Sequence, residues 1–268
     1  MFFAGTFVGG VMSAGRGAFT WPDNSALVLA ALSATFVGAS GNVLNDIKDV
    51  AIDRVNRPDR PLPRGQLGIN AARVLWVVVT LGGLLTAVFV SVAHVVIATA
   101  AVALVTVYNI RLKSVPVVGN VVVSVVVATA LIYGGLSLDG LTLAVPAALF
   151  AFLTTFAREM LKDVEDLSGD ASGSVSTYAV VRGPRAAGRF AAAILLLTVG
   201  LTVIPFLALE YGGTYLTLVL VADVMMVAAA WNALGTEPAE TAGAASRWTK
   251  VAMSVGLLAL AVSRLSVG

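Results

Sequence analysis

Residues 45–65 read Asn45-Asp46-Ile47-Lys48-Asp49-Val50-Ala51-Ile52-Asp53-Arg54-Val55-Asn56-Arg57-Pro58-Asp59-Arg60-Pro61-Leu62-Pro63-Arg64-Gly65. Nine of these twenty-one residues are charged, in a 268-residue chain that is 12% charged and 58% hydrophobic. On either side the sequence turns apolar, over 25–45 and 70–92. Each run is long enough to cross a hydrocarbon core of about 30 Å as a helix. A soluble domain carries roughly 25% charged residues, so this chain cannot cover a water-facing surface of its own size. Disorder is excluded by the same apolar content, and a disulfide scaffold by the absence of cysteine.

Reading outward from that stretch, apolar runs bounded by Gly, Pro and charge give nine expected spans. They cover 2–19, 25–45, 70–92, 94–110, 116–136, 141–161, 186–208, 213–233 and 248–266. No run alternates as a strand does, and an open sheet edge could not be satisfied in lipid. The expected fold is an all-α polytopic membrane protein, a single domain over 1–268. Gly, at 26 residues, suits close helix packing in lipid. The first span lacks the basic segment and small-residue cleavage site of a signal peptide. A net charge of +2 does not suggest a nucleic-acid binder.

Thirteen Lys and Arg fall in the loops after spans 2, 4, 6 and 8. The loops after spans 1, 3, 5 and 7 are short, at Trp21–Asn24, near His94, at Ser137–Gly140 and at Glu210–Gly213, and only Arg16 and Arg264 lie on their side. The positive-inside rule places the even-numbered loops in the cytoplasm.

Most acids share that face. Asn45, Asp49 and Asp53 step by four and form one stripe on a helix. After span 6, Glu159, Asp163, Asp166 and Asp170 also share a face. Asp46 and Glu165 fall off these stripes and read as solvated. Stacked carboxylates repel, and a hard cation removes the cost. Mg²⁺ takes oxygen ligands, usually one or two carboxylates plus substrate phosphates. Two stripes in matched loops, four spans apart, therefore predict a pair of Mg²⁺ sites around a diphosphate. Asn45, Asp49 and Asp53 would hold one ion, and Asp163, Asp166 and Asp170 the other.

Basic groups flank the stripes. Pro58, Pro61 and Pro63 end the helix after Asp53 and stiffen the loop. That loop could hold Arg54, Arg57, Arg60 and Arg64 over a phosphate, which Arg grips well. The loop after span 4 offers Lys113 as a point charge and Tyr108 as a ring, the latter equally at home in an interfacial belt. Asn120 lies one turn into span 5, and Arg158 and Lys162 sit beside the second stripe. Asp223 lies mid-span, where charge is costly, and reads as a structural hydrogen-bond acceptor. His94, at an outer turn, reads as exposed.

These motifs resemble the UbiA-type superfamily of intramembrane prenyltransferases. The matching segments are Asn45-Asp46-x-x-Asp49-x-x-x-Asp53, the Arg/Pro run to Gly65, Tyr108-Asn109-x-x-Leu112-Lys113 with Gly119-Asn120, and Arg158-Glu159-x-x-Lys162-Asp163-x-Glu165-Asp166-x-x-Gly169-Asp170. They occur in the expected order across about 5–266. Within the superfamily the second acidic motif, with Ala244-Ala245-Ser246-Arg247-x-x-Lys250, is most similar to the archaeal digeranylgeranylglyceryl phosphate synthases. The resemblance implies nine helices around a central cavity opening toward lipid and the cytoplasmic face. It also implies Mg²⁺-dependent transfer of a geranylgeranyl group from its diphosphate to a membrane-embedded lipid phosphate, geranylgeranylglyceryl phosphate, in ether-lipid synthesis. Asp49, Asp53, Asp166, Asp170 and Lys113 are the expected catalytic residues. Two departures stand out. The chain starts within the first helix, at Met1-Phe2-Phe3, so that helix is expected to be shortened. After Asp170 the family's Gly-x-Lys-Thr-Leu-Pro-like run reads Gly173-Ser-Val-Ser176-Thr177, with Arg182 as a substitute for the lysine. An aromatic or chlorin acceptor is an alternative within the class, and a cation-coupled transporter an alternative outside it.

Overall fold

The computed structural model describes residues 1–20, 24–172, 175–208, 211–235 and 237–267, and no side chain at 169, 172 or 267. The expected outer turn at Trp21–Asp23, Gly173 and Glu210 lie outside the described residues. Among the described residues thirteen α-helices follow in order: α1 (Phe2–Ala14), α2 (Ser25–Lys48), α3 (Val50–Asn56), α4 (Ile69–Val88), α5 (Val92–Val107), α6 (Val118–Leu136), α7 (Ala144–Glu165), α8 (Leu167–Ser172), α9 (Tyr178–Arg182), α10 (Pro184–Leu201), α11 (Ile204–Ala208), α12 (Gly213–Leu234) and α13 (Pro238–Val267). No strand occurs among the described residues, and eight of the helical segments there are long and apolar enough to cross a membrane.

Helices α2, α4, α5 and α6 pack as one group, and α7, α10, α12 and α13 as another, joined where α6 meets α7. α6 and α7 are the most enclosed, while α4 and α5 turn most of their surface outward. That outer surface is apolar, as Val78, Leu85 and Val96 illustrate, and α12 shows the same at Val224 and Trp231. α1 lies against α2, α6 and α13. It approaches α6 backbone to backbone, because a Cβ on Gly9 would strike the Leu131 carbonyl and one on Gly134 the Thr6 carbonyl. Small residues let helices close in this way where no hydrophobic effect drives them together.

Three expected spans differ in detail. The first is α-helical only over Phe2–Ala14 and continues as a 3₁₀ segment, Gly15–Phe19. Its α-helical part is about 20 Å long, short of a full crossing. The span expected at 186–208 breaks after Leu201, because Pro205 lacks an N–H and clashes with the carbonyl four residues back. The carbonyl of Thr202, at that break, accepts a 2.7 Å bond from the Tyr215 hydroxyl. The Thr202 hydroxyl donates to Asp223 Oδ2 at 2.9 Å, so Asp223 ties α12 to the break, as its reading as a structural acceptor anticipated. The last helix starts at Pro238, ten residues before the expected 248. Residues 238–247 are rich in good helix formers and extend α13 beyond its apolar stretch. His94, expected to be exposed, is 1% exposed.

Candidate active site

Both acidic segments bend at their middle aspartate. Asp49, between α2 and α3, has φ −94° and ψ 6°, and Asp166, between α7 and α8, has φ −90° and ψ 8°. These values lie in the sparsely allowed bridge region, where many active-site residues sit. The i→i−4 bonds survive the bends: Asp49 N–H to the Asn45 carbonyl at 2.9 Å, Asp53 to Asp49 at 2.7 Å, Asp166 to Lys162 at 2.8 Å and Asp170 to Asp166 at 3.0 Å. Each stripe thus stays together while its end swings inward, and α3 packs against α8.

Between them lies a cavity. Six carboxyl groups line it, from Asp49, Asp53, Glu159, Asp163, Asp166 and Asp170, with four cations, Arg57, Arg60, Lys113 and Lys162. Asn45, Tyr108 and Asn120 complete the expected set present there. Ile52, Val115 and Val123 form its apolar wall. The acids are largely buried: Asp49 is 7%, Asp53 5% and Asp170 6% exposed.

The cations hold the acids apart. Lys113 Nζ pairs with Asp49. Arg60 Nη1 donates to Asp53 Oδ2 at 2.8 Å and to Asp46 Oδ1 at 2.7 Å. Arg57 Nη2 reaches across the cavity to Asp166, 3.1 and 3.3 Å from its two oxygens, and Asn56 donates to the Asp166 carbonyl at 3.1 Å. Asn120 donates to Asp163 Oδ2 at 2.9 Å, Lys162 to Glu159 at 3.0 Å and Asn45 to Asn109 at 3.3 Å. Among the described residues Asp170 has no side-chain partner. Its burial, with Asp166 and Asp49 nearby, pushes its carboxyl up to about 6 against the opposing pull of Lys113 and Lys162.

Local backbone irregularity brings Tyr108 and Lys113 to the same cavity. In an α-helix, residues five apart diverge by about 140°. After α5 the segment Tyr108–Leu112 is π-helical, and Lys113 N–H bonds the Tyr108 carbonyl at 2.9 Å, which stacks the two. Single π turns of this kind recur at functional sites. Val117 then carries φ 69° and ψ −42°, and Val118 N–H bonds the Pro116 carbonyl at 2.8 Å. This is a strained γ-turn that delivers Gly119 and Asn120 to the cavity.

Four of the basic residues lie off the cavity. Arg54 is exposed and outside the cavity, because it follows Asp53 by one residue and so points about 100° away on α3. Arg64 pairs with exposed Asp59 instead. Arg158 is directed to Glu159 at 2.8 Å and does not line the cavity. Arg182 is exposed, and Thr177 rather than Ser176 lines the site. Asp46, read as solvated, is held by Arg60, while Glu165 is exposed as expected. Asn56 and Thr177 were not singled out. The spacing Asp49–Ile52–Asp53–Asn56, on one helical face, carries the signal for Asn56.

Among the described residues, no three His, Asp or Glu side chains gather into a metal cage. The donor set nevertheless suits Mg²⁺, which usually keeps its waters and relies on one or two carboxylates plus substrate phosphates. Asn45, Asp49 and Asp53 on one side, and Asp163, Asp166 and Asp170 on the other, offer only oxygen ligands from their side chains, apart from the amide nitrogen of Asn45.

The fold and the overall sequence are similar to those of known proteins. A digeranylgeranylglyceryl phosphate synthase of Methanopyrus kandleri is 36% identical over 245 residues, 89% of this chain and 87% of the relative. A solved structure described for digeranylgeranylglyceryl phosphate synthase in membranes superposes with a TM-score of 0.76 at 28% identity, covering 99% of this chain and 93% of that one. A UbiA homolog from Archaeoglobus fulgidus, solved with GPP and Mg²⁺ bound, shares the fold at a TM-score of 0.65 and 18% identity, over 96% and 95% of the two chains. The description of the UbiA prenyltransferase family matches residues 2–256, and the chain belongs to that family.

Proposed function

We propose that this membrane enzyme transfers a geranylgeranyl group from geranylgeranyl diphosphate to the free hydroxyl of geranylgeranylglyceryl phosphate, with Mg²⁺ and with its cavity facing the cytoplasm. The observation that carries this reading is the meeting of two bent acidic segments and four cations over one cavity with an apolar wall. The synthase relatives support the acceptor, the GPP- and Mg²⁺-bound homolog supports the donor and metal, and the charge asymmetry of the loops supports the orientation.

Asn45, Asp49 and Asp53 would hold one ion, and Asp163, Asp166 and Asp170 a second. Mg²⁺, when bound, supplies positive charge to the leaving diphosphate. Lys113, Arg57, Arg60 and Lys162 line the same cavity and can turn from their present carboxylates to phosphate oxygens, neutralising charge as the C–O bond breaks. Ile52, Val115 and Val123 keep water from the allylic carbon, and Tyr108 adds a ring face that favours developing positive charge. The acceptor hydroxyl oxygen then bonds to the allylic carbon, and its proton passes to the released diphosphate.

Radiolabelled prenyl transfer in membranes, with a panel of acceptors, tests the proposal. The lipid phosphate should take the label and 4-hydroxybenzoate should not, and chelation of Mg²⁺ should abolish transfer. Asp49→Ala and Asp166→Ala should each lose transfer. Full activity of Asp49→Ala at saturating Mg²⁺ would sink the metal assignment. Because the chain has no cysteine, Asp59→Cys can be labelled from one side of sealed vesicles to read the orientation.

A further inference from the structure

A second, small cavity, nearly all apolar, lies deeper between α1, α2, α5 and α6. Its lining lies on the same faces of α2, α5 and α6 as that of the polar one. On α6, Asn120 and Val123 line the polar cavity, and Val126, Ala130 and Tyr133 line the apolar one, each about one turn further. On α2 the matching face runs from Asn45 to Val37 and Ala34, with Gly41 between them against the Val105 side chain of α5, and on α5 from Tyr108 to Ala101 and Ala98. The ring of Phe2, from α1, lies against the bare backbone of Gly38 and walls the side.

This lane ends on a closed polar cluster. Tyr133 is 3%, His94 1% and Ser33 0% exposed. Ser33 Oγ donates to the Gly83 carbonyl at 2.8 Å, so the Tyr133 hydroxyl donates to Ser33 Oγ at 2.9 Å. His94 Nε2–H donates to the Tyr133 carbonyl at 3.0 Å, and its Nδ1 accepts from Ser91 at 2.8 Å. The two rings meet edge to face, with centroids 4.4 Å apart. Every polar atom in the cluster is paired, so moving the tyrosine leaves buried groups unsatisfied.

Three helices place this floor at one depth. From Asn120 to Tyr133, Asn45 to Ser33 and Tyr108 to His94 the separations are thirteen, twelve and fourteen residues, or about 18–21 Å at the helical rise. An extended chain advances about 1.25 Å per C–C bond at ordinary bond lengths and angles, so a geranylgeranyl main chain of about sixteen carbons reaches about 19 Å. We propose that Tyr133, braced by His94 and Ser33, is the specificity-determining floor that limits the donor to a chain of about twenty carbons. This rests on the prenyl-transfer reading above.

The test is kcat/KM for geranyl, farnesyl, geranylgeranyl and geranylfarnesyl diphosphates with one acceptor. The wild type should favour the C20 donor over the C25 donor by about tenfold or more, the scale of discrimination by an apolar pocket. Tyr133→Ala should raise the C25 to C20 ratio by about tenfold, whereas Tyr133→Phe, which keeps the ring, should leave the ratio near wild type. Ala130→Leu raises the floor by one turn and should move the optimum to C15, and it decides the matter if Tyr133→Ala fails to fold. Equal use of C20 and C25 by the wild type, or an unmoved optimum in Ala130→Leu, overturns the floor while leaving the transferase standing. Absence of transfer from every donor defeats the transferase reading, and the floor with it.

Discussion

At Asp49 and at Asp166 the backbone bends in the same way, yet the two acidic segments are neutralised by different means. In the first, Lys113 sits on Asp49 and Arg60 on Asp53. In the second, Asp163 has only the neutral amide of Asn120, Asp170 has no side-chain partner among the described residues, and Asp166 borrows Arg57 from the first half of the chain. A buried carboxylate needs a cation, a hydrogen-bonding group or a proton. The first segment takes cations; in the second, Glu159 holds the segment's own Arg158 and Lys162, and the three aspartates take one borrowed cation, an amide and, at Asp170, a raised proton affinity. The two stripes therefore share geometry but differ in their readiness to bind a further cation.

The strongest way to break that comparison is at the crossing contact. Arg57→Ala removes the cation shared between the halves and should lower kcat/KM by about 10²–10³, the scale of losing one charge-stabilising donor at a reacting centre. Arg60→Ala acts within one half and should cost less, about tenfold. A double-mutant cycle of Arg57 and Asp166 should show coupling of about 0.5–3 kcal/mol. Additivity in that cycle, or a larger loss for Arg60→Ala, would show that the halves do not depend on the borrowed arginine.

A smaller difference separates charged from neutral partners. Lys113→Met strands Asp49 without its cation and should cost about 10- to 100-fold in transfer, since losing a partner of a charged group costs about 1.5–3 kcal/mol. Asn120→Leu removes a neutral donor from Asp163 and should cost about tenfold. Equal losses in steady-state assays would erase the distinction.

The proton on Asp170 gives a pH test. A carboxyl raised to about 6 is neutral below that pH and must lose its proton to ligate a metal. Apparent Mg²⁺ affinity should therefore fall by up to about tenfold per unit as pH drops below 6. The sign for stability without metal is opposite: a raised carboxyl favours the folded state at low pH, and this benefit fades as pH rises through about 6. Asp170→Asn should flatten the acid limb of Mg²⁺ affinity, measured by calorimetry. An unchanged limb would move the titration elsewhere.

Much of this was legible beforehand. Charge scarcity located the spans, and the four-residue spacing located both stripes. Hydropathy marks how much helix lies in lipid rather than where a helix ends, so the early start of α13 was missed. Periodicity assumes a regular helix, and it cannot show the bends at Asp49 and Asp166, the π turn at Tyr108 or the γ-turn at Val117. Partner choice was hidden as well, because Arg57 finds Asp166 across 109 residues. His94 and Tyr133 sit near span ends in sequence, and only packing shows that they close a cavity.

The smallest expected effect tests helix phase. Arg54, Arg57 and Arg60 follow the first stripe at intervals of three, and the sequence offers all of them to a phosphate. α3 continues only to Asn56, so Arg54 is still bound by the helical period and follows Asp53 by about 100°. Arg57 and Arg60 lie beyond the helix end, in a loop stiffened by Pro58 and Pro61, and are free to turn back over the cavity. Arg54→Ala should therefore change kcat/KM by less than about twofold, as expected for an exposed surface charge. A tenfold loss in the same assay would mean that the first segment unwinds during turnover to bring Arg54 to the diphosphate, and the bend at Asp49 would then be a hinge rather than a fixed corner.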